Sequence, residues 1–208
     1  MIKDRNIHTI GLSSTALAAR QQYIISKPSV STTFVVATED ISGGDVAAAS
    51  IARSILDYPR NLLYTLSDAA SNTLEAIFTV TGEDQFGRVV TETATVDYSA
   101  AATTAGTQIF AKITSVAIAP TNQAASDTAS VGVAIATDVA SFGLPDEIAA
   151  VTDVENVNWI DAGTSKAQNI DSTSVVVTRN CFRPEQAVDA GDDYVITYKS
   201  TAVPSTDR

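Results

Sequence analysis

The side chains of this 208-residue chain that could carry chemistry are few and scattered. A cysteine nucleophile needs a base that draws off its proton. The single cysteine, Cys181, has no histidine near it in sequence, and the single histidine, His8, lies close to the N-terminus. Beside Phe182 and after a β-branched run, Cys181 is expected to be a buried or half-buried inert thiol. Without a second cysteine there is no intrachain disulfide and no thiolate metal cluster, and a reducing compartment fits. The carboxylate pairs Glu39-Asp40, Asp146-Glu147 and Asp192-Asp193 are of the type used for general acid–base work, but each is expected to be solvated charge in a loop. An enzyme would need acids such as Asp161 and Asp192 to converge from distant loops. Asp189 to Asp193 clusters the hard oxygens that calcium takes, yet lacks the spacing and the bidentate glutamate of an EF-hand. Gly43-Gly44 has no following Gly-Lys-Ser/Thr, so no phosphate cradle is read there. No catalytic, cofactor-binding or metal-ligating residue is assigned, and a non-enzymatic structural or binding role is expected.

The elements that hold these residues are expected to be strands. From 73 to 118, apolar and polar residues alternate in short runs rich in Thr, Val and Ala. Within Thr73 to Thr81, Leu74, Ala76, Phe78 and Val80 fall on one face, with Glu75, Ile77, Thr79 and Thr81 on the other. A turn at Gly82 to Gly87 then returns the chain through Arg88 to Val96, which predicts a hairpin. Further strands are expected at Ser31 to Thr38, Leu62 to Leu66, Gln108 to Ile118, Ser130 to Ile135, Ser174 to Thr178 and Tyr194 to Lys199, separated by turn formers.

Residues 45 to 58 are ambiguous between a helix capped by Asp45 and extended chain. Residues 1 to 30 read as an N-terminal arm with one helical turn near Ala16 to Gln22, since Lys27-Pro28 disfavours helix beyond it. The main β domain is expected over 31 to 140. The shift at Ser141 to Pro145 marks off a C-terminal β region, 141 to 208, either separate or part of the same domain. The polar tail from Pro204 is expected to be peripheral. The fold class is mainly β, an antiparallel β-sandwich or jelly-roll-like barrel. Its expected core is Phe78, Val80, Val90, Phe110, Ile113, Val116, Val133, Val176, Val195 and Tyr198, with Trp159 at the core or an interface.

With 24 acidic against 13 basic side chains, the net charge of −11 repels phosphate backbones and anionic lipid. No nucleic acid and no membrane partner is expected. No run approaches the ~18 apolar residues of a membrane span, and the charged N-terminus lacks the apolar core of a signal peptide. Synthesis in the cytoplasm follows as an expectation.

The stretch Tyr58-Pro59-Arg60-Asn61-Leu62, then residues Ala76 to Gly87 and Val90-Thr91-Glu92-Thr93, resembles a pattern common in virion proteins of tailed bacteriophages. The likeness continues through Phe110 to Val116, Val131 to Ile135, Phe142-Gly143-Leu144-Pro145, Phe182-Arg183-Pro184 and Tyr194 to Tyr198. Within those proteins the chain is most similar to small capsid cement or decoration proteins. The resemblance implies a β protein on the outer capsid surface of the virion, bound to the major capsid protein, commonly as a homotrimer or other homo-oligomer. It implies that the arm reaches a neighbouring subunit. A tail, neck or head-fibre component is the alternative, and a carbohydrate-binding β-sandwich a second one, for which the one Trp and six Tyr form no obvious cluster.

Overall fold

A computed structural model describes residues 20–69, 74–136, 139–161 and 163–200. All strand pairings are antiparallel, and they form three sheets. The largest sheet runs in the order β13 (Val175–Val176), β14 (Cys181–Phe182), β10 (Phe142–Gly143), β3 (Ile55–Arg60), β8 (Phe110–Thr121), β5 (Glu75–Glu83) and β6 (Val89–Asp97). A second sheet orders β2 (Val36–Asp40), β9 (Thr128–Val133), β4 (Leu62–Ser67) and β7 (Thr103–Ala105). The third orders β1 (Arg20–Ser26), β15 (Asp193–Lys199), β11 (Val154–Asp161) and β12 (Thr164–Ala167).

Strand alternation explains the first core. Leu74, Ala76, Phe78 and Val80 all point inward and are buried. They meet Leu62, Tyr64 and Leu66 of β4 and Val131 of β9, so the first two sheets pack as a sandwich. The Tyr64 and Phe78 rings lie 5.2 Å apart across that interior. Burial of each large apolar side chain contributes about 1.5–3 kcal/mol.

A second core lies against the third sheet, from which Ile25, Val157, Tyr194, Ile196 and Tyr198 project. Phe142 and Phe182 reach it from β10 and β14, with ring centroids 5.9 and 6.4 Å from that of Tyr194. Arg60, fully buried, ties the segments together: Nη1 donates to Ser29 O at 2.9 Å and Nη2 to Ala134 O at 2.8 Å. Its guanidinium lies 4.7 Å from the centre of the Phe142 ring. Burial lowers its pKa to about 10, so it remains a cation at neutral pH.

The hairpin of β5 and β6 forms in full register from Glu75↔Asp97 to Glu83↔Val89. Its turn is tighter than expected, because Gly82 belongs to β5, facing a bulge in β8, and the reversal runs from Asp84 to Arg88. Gly87 takes φ +77°, the left-handed geometry that glycine allows without strain.

Several expectations are corrected. The arm was expected through residue 30, but Arg20–Ser26 is strand β1, paired with β15 over seven residues, and Arg20 to Gln22 are not helical. Residues 1–19, including His8, and the tail from residue 201 lie outside the described residues. Residues 45 to 58, left open between helix and extended chain, are extended: Val46 bridges Ile118, Ile51 bridges Val36, and β3 begins at Ile55. The expected strand at Ser31 to Thr38 begins only at Val36 and runs through Glu39 and Asp40. Ser174 to Thr178 holds two strand residues and then turns into a 3-10 helix, Val177–Arg179. Within Ser141 to Pro145, Phe142–Gly143 forms β10, buried in the large sheet.

Of the expected core, Phe78, Val80, Phe110, Ile113, Val116, Val133 and Tyr198 are buried. Val90, Val176 and Val195 are only half-buried. On β15 the period of two puts Tyr194, Ile196 and Tyr198 inside and turns Val195 outward, and on β13 Val175 takes the inner place.

Candidate functional site

The carboxylates fall into place as acceptors for loop backbone. Asp84 Oδ1 accepts the N–H groups of Phe86 and Arg88 at 2.8 and 2.9 Å and so shapes the hairpin turn. Asp127, fully buried, takes the N–H of Ala69 at 2.9 Å on Oδ1 and that of Ala124 at 2.6 Å on Oδ2. Asp153 Oδ2 takes the N–H groups of Ala149 and Ala150. Asp171 Oδ1 takes those of Thr173 and Ser174 together with the Thr173 hydroxyl, and these bonds hold its pKa down at about 2. Donors converging on one carboxylate in this way tie down the loop that supplies them.

The carboxylate pairs part company in the fold. Glu39 and Asp40 end a strand instead of lying in a loop. Asp192 is buried, with Oδ2 accepting from the Asp189 N–H at 2.7 Å and the Tyr194 hydroxyl at 3.2 Å, so it is not solvated charge. Asp193 begins β15 and accepts from the Ser26 hydroxyl at 2.6 Å. Alternation along the chain turns these neighbours to opposite sides. Asp189 Oδ1 accepts from the Gly191 N–H at 3.3 Å. Asp161 is exposed at the end of β11. Among the described residues, no three His, Cys, Asp or Glu side chains converge as a metal-ligand set. Cys181 is buried in β14, and that burial raises its thiol pKa.

A groove of about 590 Å³ opens between the β5–β6 turn and the loops around Ile148 and Arg179. Phe86, Val89, Ile109 and Ile148 supply apolar wall, while Arg88, Glu147 and Arg179 supply charge. The charges are engaged within the protein. Arg88 Nε donates to Asp84 Oδ2 at 2.7 Å, Nη1 lies 3.5 Å from Glu147, and the guanidinium stacks 4.5 Å from the Phe86 centroid. Arg179 Nη1 donates to Thr107 O at 2.8 Å.

One wall is set by Asn180. Its amide donates to the carbonyls of Leu144 and Asp146 at 2.9 and 2.8 Å and accepts from the Ile148 N–H at 2.8 Å, with its backbone at φ +51°. Asn61 does the same work elsewhere, donating to Gly106 O and Val139 O and accepting from the Ser141 N–H. Both escaped the reading of the sequence, where asparagine's tolerance of left-handed backbone is the one signal that bears on Asn180. Trp159 is half-buried against the second core, with the Lys166 ammonium 5.0 Å from its ring centre.

No helix among the described residues is long and apolar enough to cross a membrane. The chain matches no protein-family model, no curated protein and no solved structure.

Proposed function

We propose that the chain is a non-enzymatic structural protein of a tailed-phage virion, made in the host cytoplasm, that binds the major capsid protein and stabilises the outer shell as a homo-oligomeric cement or decoration protein. The observation that carries this reading is the use of acidic side chains as loop clasps. Asp84, Asp127, Asp153 and Asp171 each hold two backbone N–H groups and Asp192 one, which suits a body built to stay rigid between its sheets. The likeness of residues 58 to 198 to phage structural proteins supports the same reading.

The mechanism is linkage. A protein that binds only the assembled shell stabilises it, and many symmetric copies multiply a modest free energy per site.

Quantitative mass spectrometry on separated heads and tails of the virion tests the proposal. Hundreds of copies on heads are expected. Enrichment in tails, or a few dozen copies or fewer per particle, would assign it to tail, neck or fibre, and absence from particles would end the virion reading.

A further inference from the structure

Strand β1 is the outermost strand of the third sheet, paired over seven residues with β15 and with no strand on its other side among the described residues. It can leave without breaking any other strand pairing. A few specific contacts hold it: Ile25 is buried in the second core, Arg20 Nε lies 2.6 Å from Glu155, and the Ser26 hydroxyl donates to Asp193. From Arg20 to Lys27 the chain carries two basic side chains and no acid, so β1 is a cationic strand seated on an acidic body.

The link that follows is strained. Lys27 has φ +48°, a left-handed geometry costly for a residue with a side chain, and it stands directly before Pro28, whose ring favours extended backbone in the residue ahead of it. Hydrogen bonds fasten the chain on both sides of this pair. The Ser26 N–H donates to the Tyr58 hydroxyl at 2.9 Å and the Lys27 N–H to Asp192 O at 2.8 Å, while beyond Pro28 the Ser29 N–H donates to Asp57 at 2.6 Å and Ser29 O accepts from Arg60. Strain is thus confined to one joint between a docked strand and a rigid body. Extending that joint relieves it and carries β1 away.

The vacated edge selects its own replacement. It offers the free backbone of β15, a socket shaped for Ile25 and the Glu155 and Asp193 carboxylates, a combination that β1 of a second copy matches. Two chains of net charge −11 repel as bodies, but each exchanged cationic strand meets acidic partners on the other copy.

We propose that β1 is an exchangeable strand, which swings out about Lys27-Pro28 and pairs with β15 of a second copy, each copy giving its β1 to the other in a closed dimer. The contacts that hold β1 in the monomer are remade between chains, and the hinge strain is relieved in both. The proposal is independent of the virion reading, since it is tested on the purified full chain without particles.

Interchain disulfide trapping is the experiment. Ile24 and Val195 are register partners on the outward side of the third sheet. Ile24→Cys in one chain and Val195→Cys in another are therefore held within bonding distance when β1 of the first lies on β15 of the second. The two purified variants, incubated together at high concentration and then mildly oxidised, are expected to yield a disulfide joining the two substituted positions, read by mass spectrometry of linked peptides. Its yield should exceed that of a collision control, Ile24→Cys mixed with Val89→Cys, at least about tenfold. Lys27→Gly and Lys27→Asn, each added to both chains, accept the left-handed joint and should lower the yield at least about fivefold while keeping the circular dichroism spectrum. If one hinge variant fails to fold, the other carries the comparison. A yield no greater than the collision control overturns the proposal, and so does a yield that a folded hinge variant leaves unchanged.

Discussion

The Tyr64 hydroxyl donates to Glu92 Oε2 at 2.8 Å inside the sandwich, joining β4 to β6 through a buried carboxylate. Glu92 Oε1 accepts from the N–H groups of Thr107 and Gln108 at 2.5 and 3.1 Å, so one acid holds both the strand and the loop beyond β7. Burial and the neighbouring Glu92 charge push the Tyr64 pKa well above the normal tyrosine range. That hydroxyl remains a donor at any physiological pH.

Replacing Glu92 with Ala strands the buried Tyr64 hydroxyl and releases the part-buried N–H groups of Thr107 and Gln108. A buried donor left without a partner costs about 1–3 kcal/mol and the part-buried ones less, so the substitution should destabilise the fold by roughly 2–4 kcal/mol. Tyr64→Phe should cost less, about 1–2 kcal/mol, because Glu92 keeps its backbone partners. Urea denaturation of both variants and of the double variant measures the coupling, and additive losses would show that the pair does not act as a unit.

Acid should weaken the protein as its loop carboxylates gain protons. Asp171, at about 2, is depressed chiefly by the Thr173 hydroxyl and then by backbone N–H groups, and Asp40 and Asp97 are lowered the same way by Ser42 and Ser99. A carboxyl with a folded pKa below its unfolded value, about 3.9 for Asp, contributes stability above that unfolded value and loses it as pH falls through the folded one. The urea midpoint should therefore drop between about pH 4 and pH 2, and Asp171→Asn should flatten part of that dependence. A midpoint unchanged across this window would contradict the assignment.

Gly132 of β9 is closely crossed by the preceding turn. A Cβ there would lie 2.2 Å from Thr32 C and 2.4 Å from Ser31 O, and backbone cannot swing aside as a side chain can. Gly132→Ala should cost about 2–4 kcal/mol through the displaced turn. Gly43→Ala, where nothing lies within 4 Å, is the control and should leave the melting temperature nearly unchanged.

Removing residues 1–27 deletes β1 and uncovers the edge of β15. The deletion should lower the melting temperature sharply, because Ile25 leaves the second core and a free strand edge invites aggregation. A melting curve equal to that of the full chain would count against the pairing of β1 with β15.

Legibility followed the range of the interactions. The β5–β6 hairpin could be read because its strands alternate cleanly and its turn carries Asp84 and Gly87, all within a short span. The two-residue strands β10 and β14 could not, since a pair of residues has no period and Phe142 opposite Phe182 is a contact made only by packing. The ambiguity at 45 to 58 was resolved by partners far along the chain, Ile118 for Val46 and Lys112 for Ile55, which overrode whatever helix preference the alanines carry.

The strand faces divide in the same way. Sequence placed Ile77, Thr79 and Thr81 together on one face of a strand, but that Ile55 and Val89 extend the same face depends on sheet order. Likewise, residue type alone showed many acids and no motif, while the fold decided which of them, Asp127, Asp192 and Glu92, would be buried on backbone donors.

By itself, then, the sequence determined a mainly β, strongly acidic chain and the inward and outward faces of its longer strands, because side-chain alternation is a local property of extended backbone. Tertiary structure alone decided that Arg20–Ser26 closes against the C-terminal β15 and that Arg60 binds the carbonyls of Ser29 and Ala134. Those contacts join residues far apart in the chain, and only the burial of apolar surface by the whole fold offsets the entropy of bringing them together.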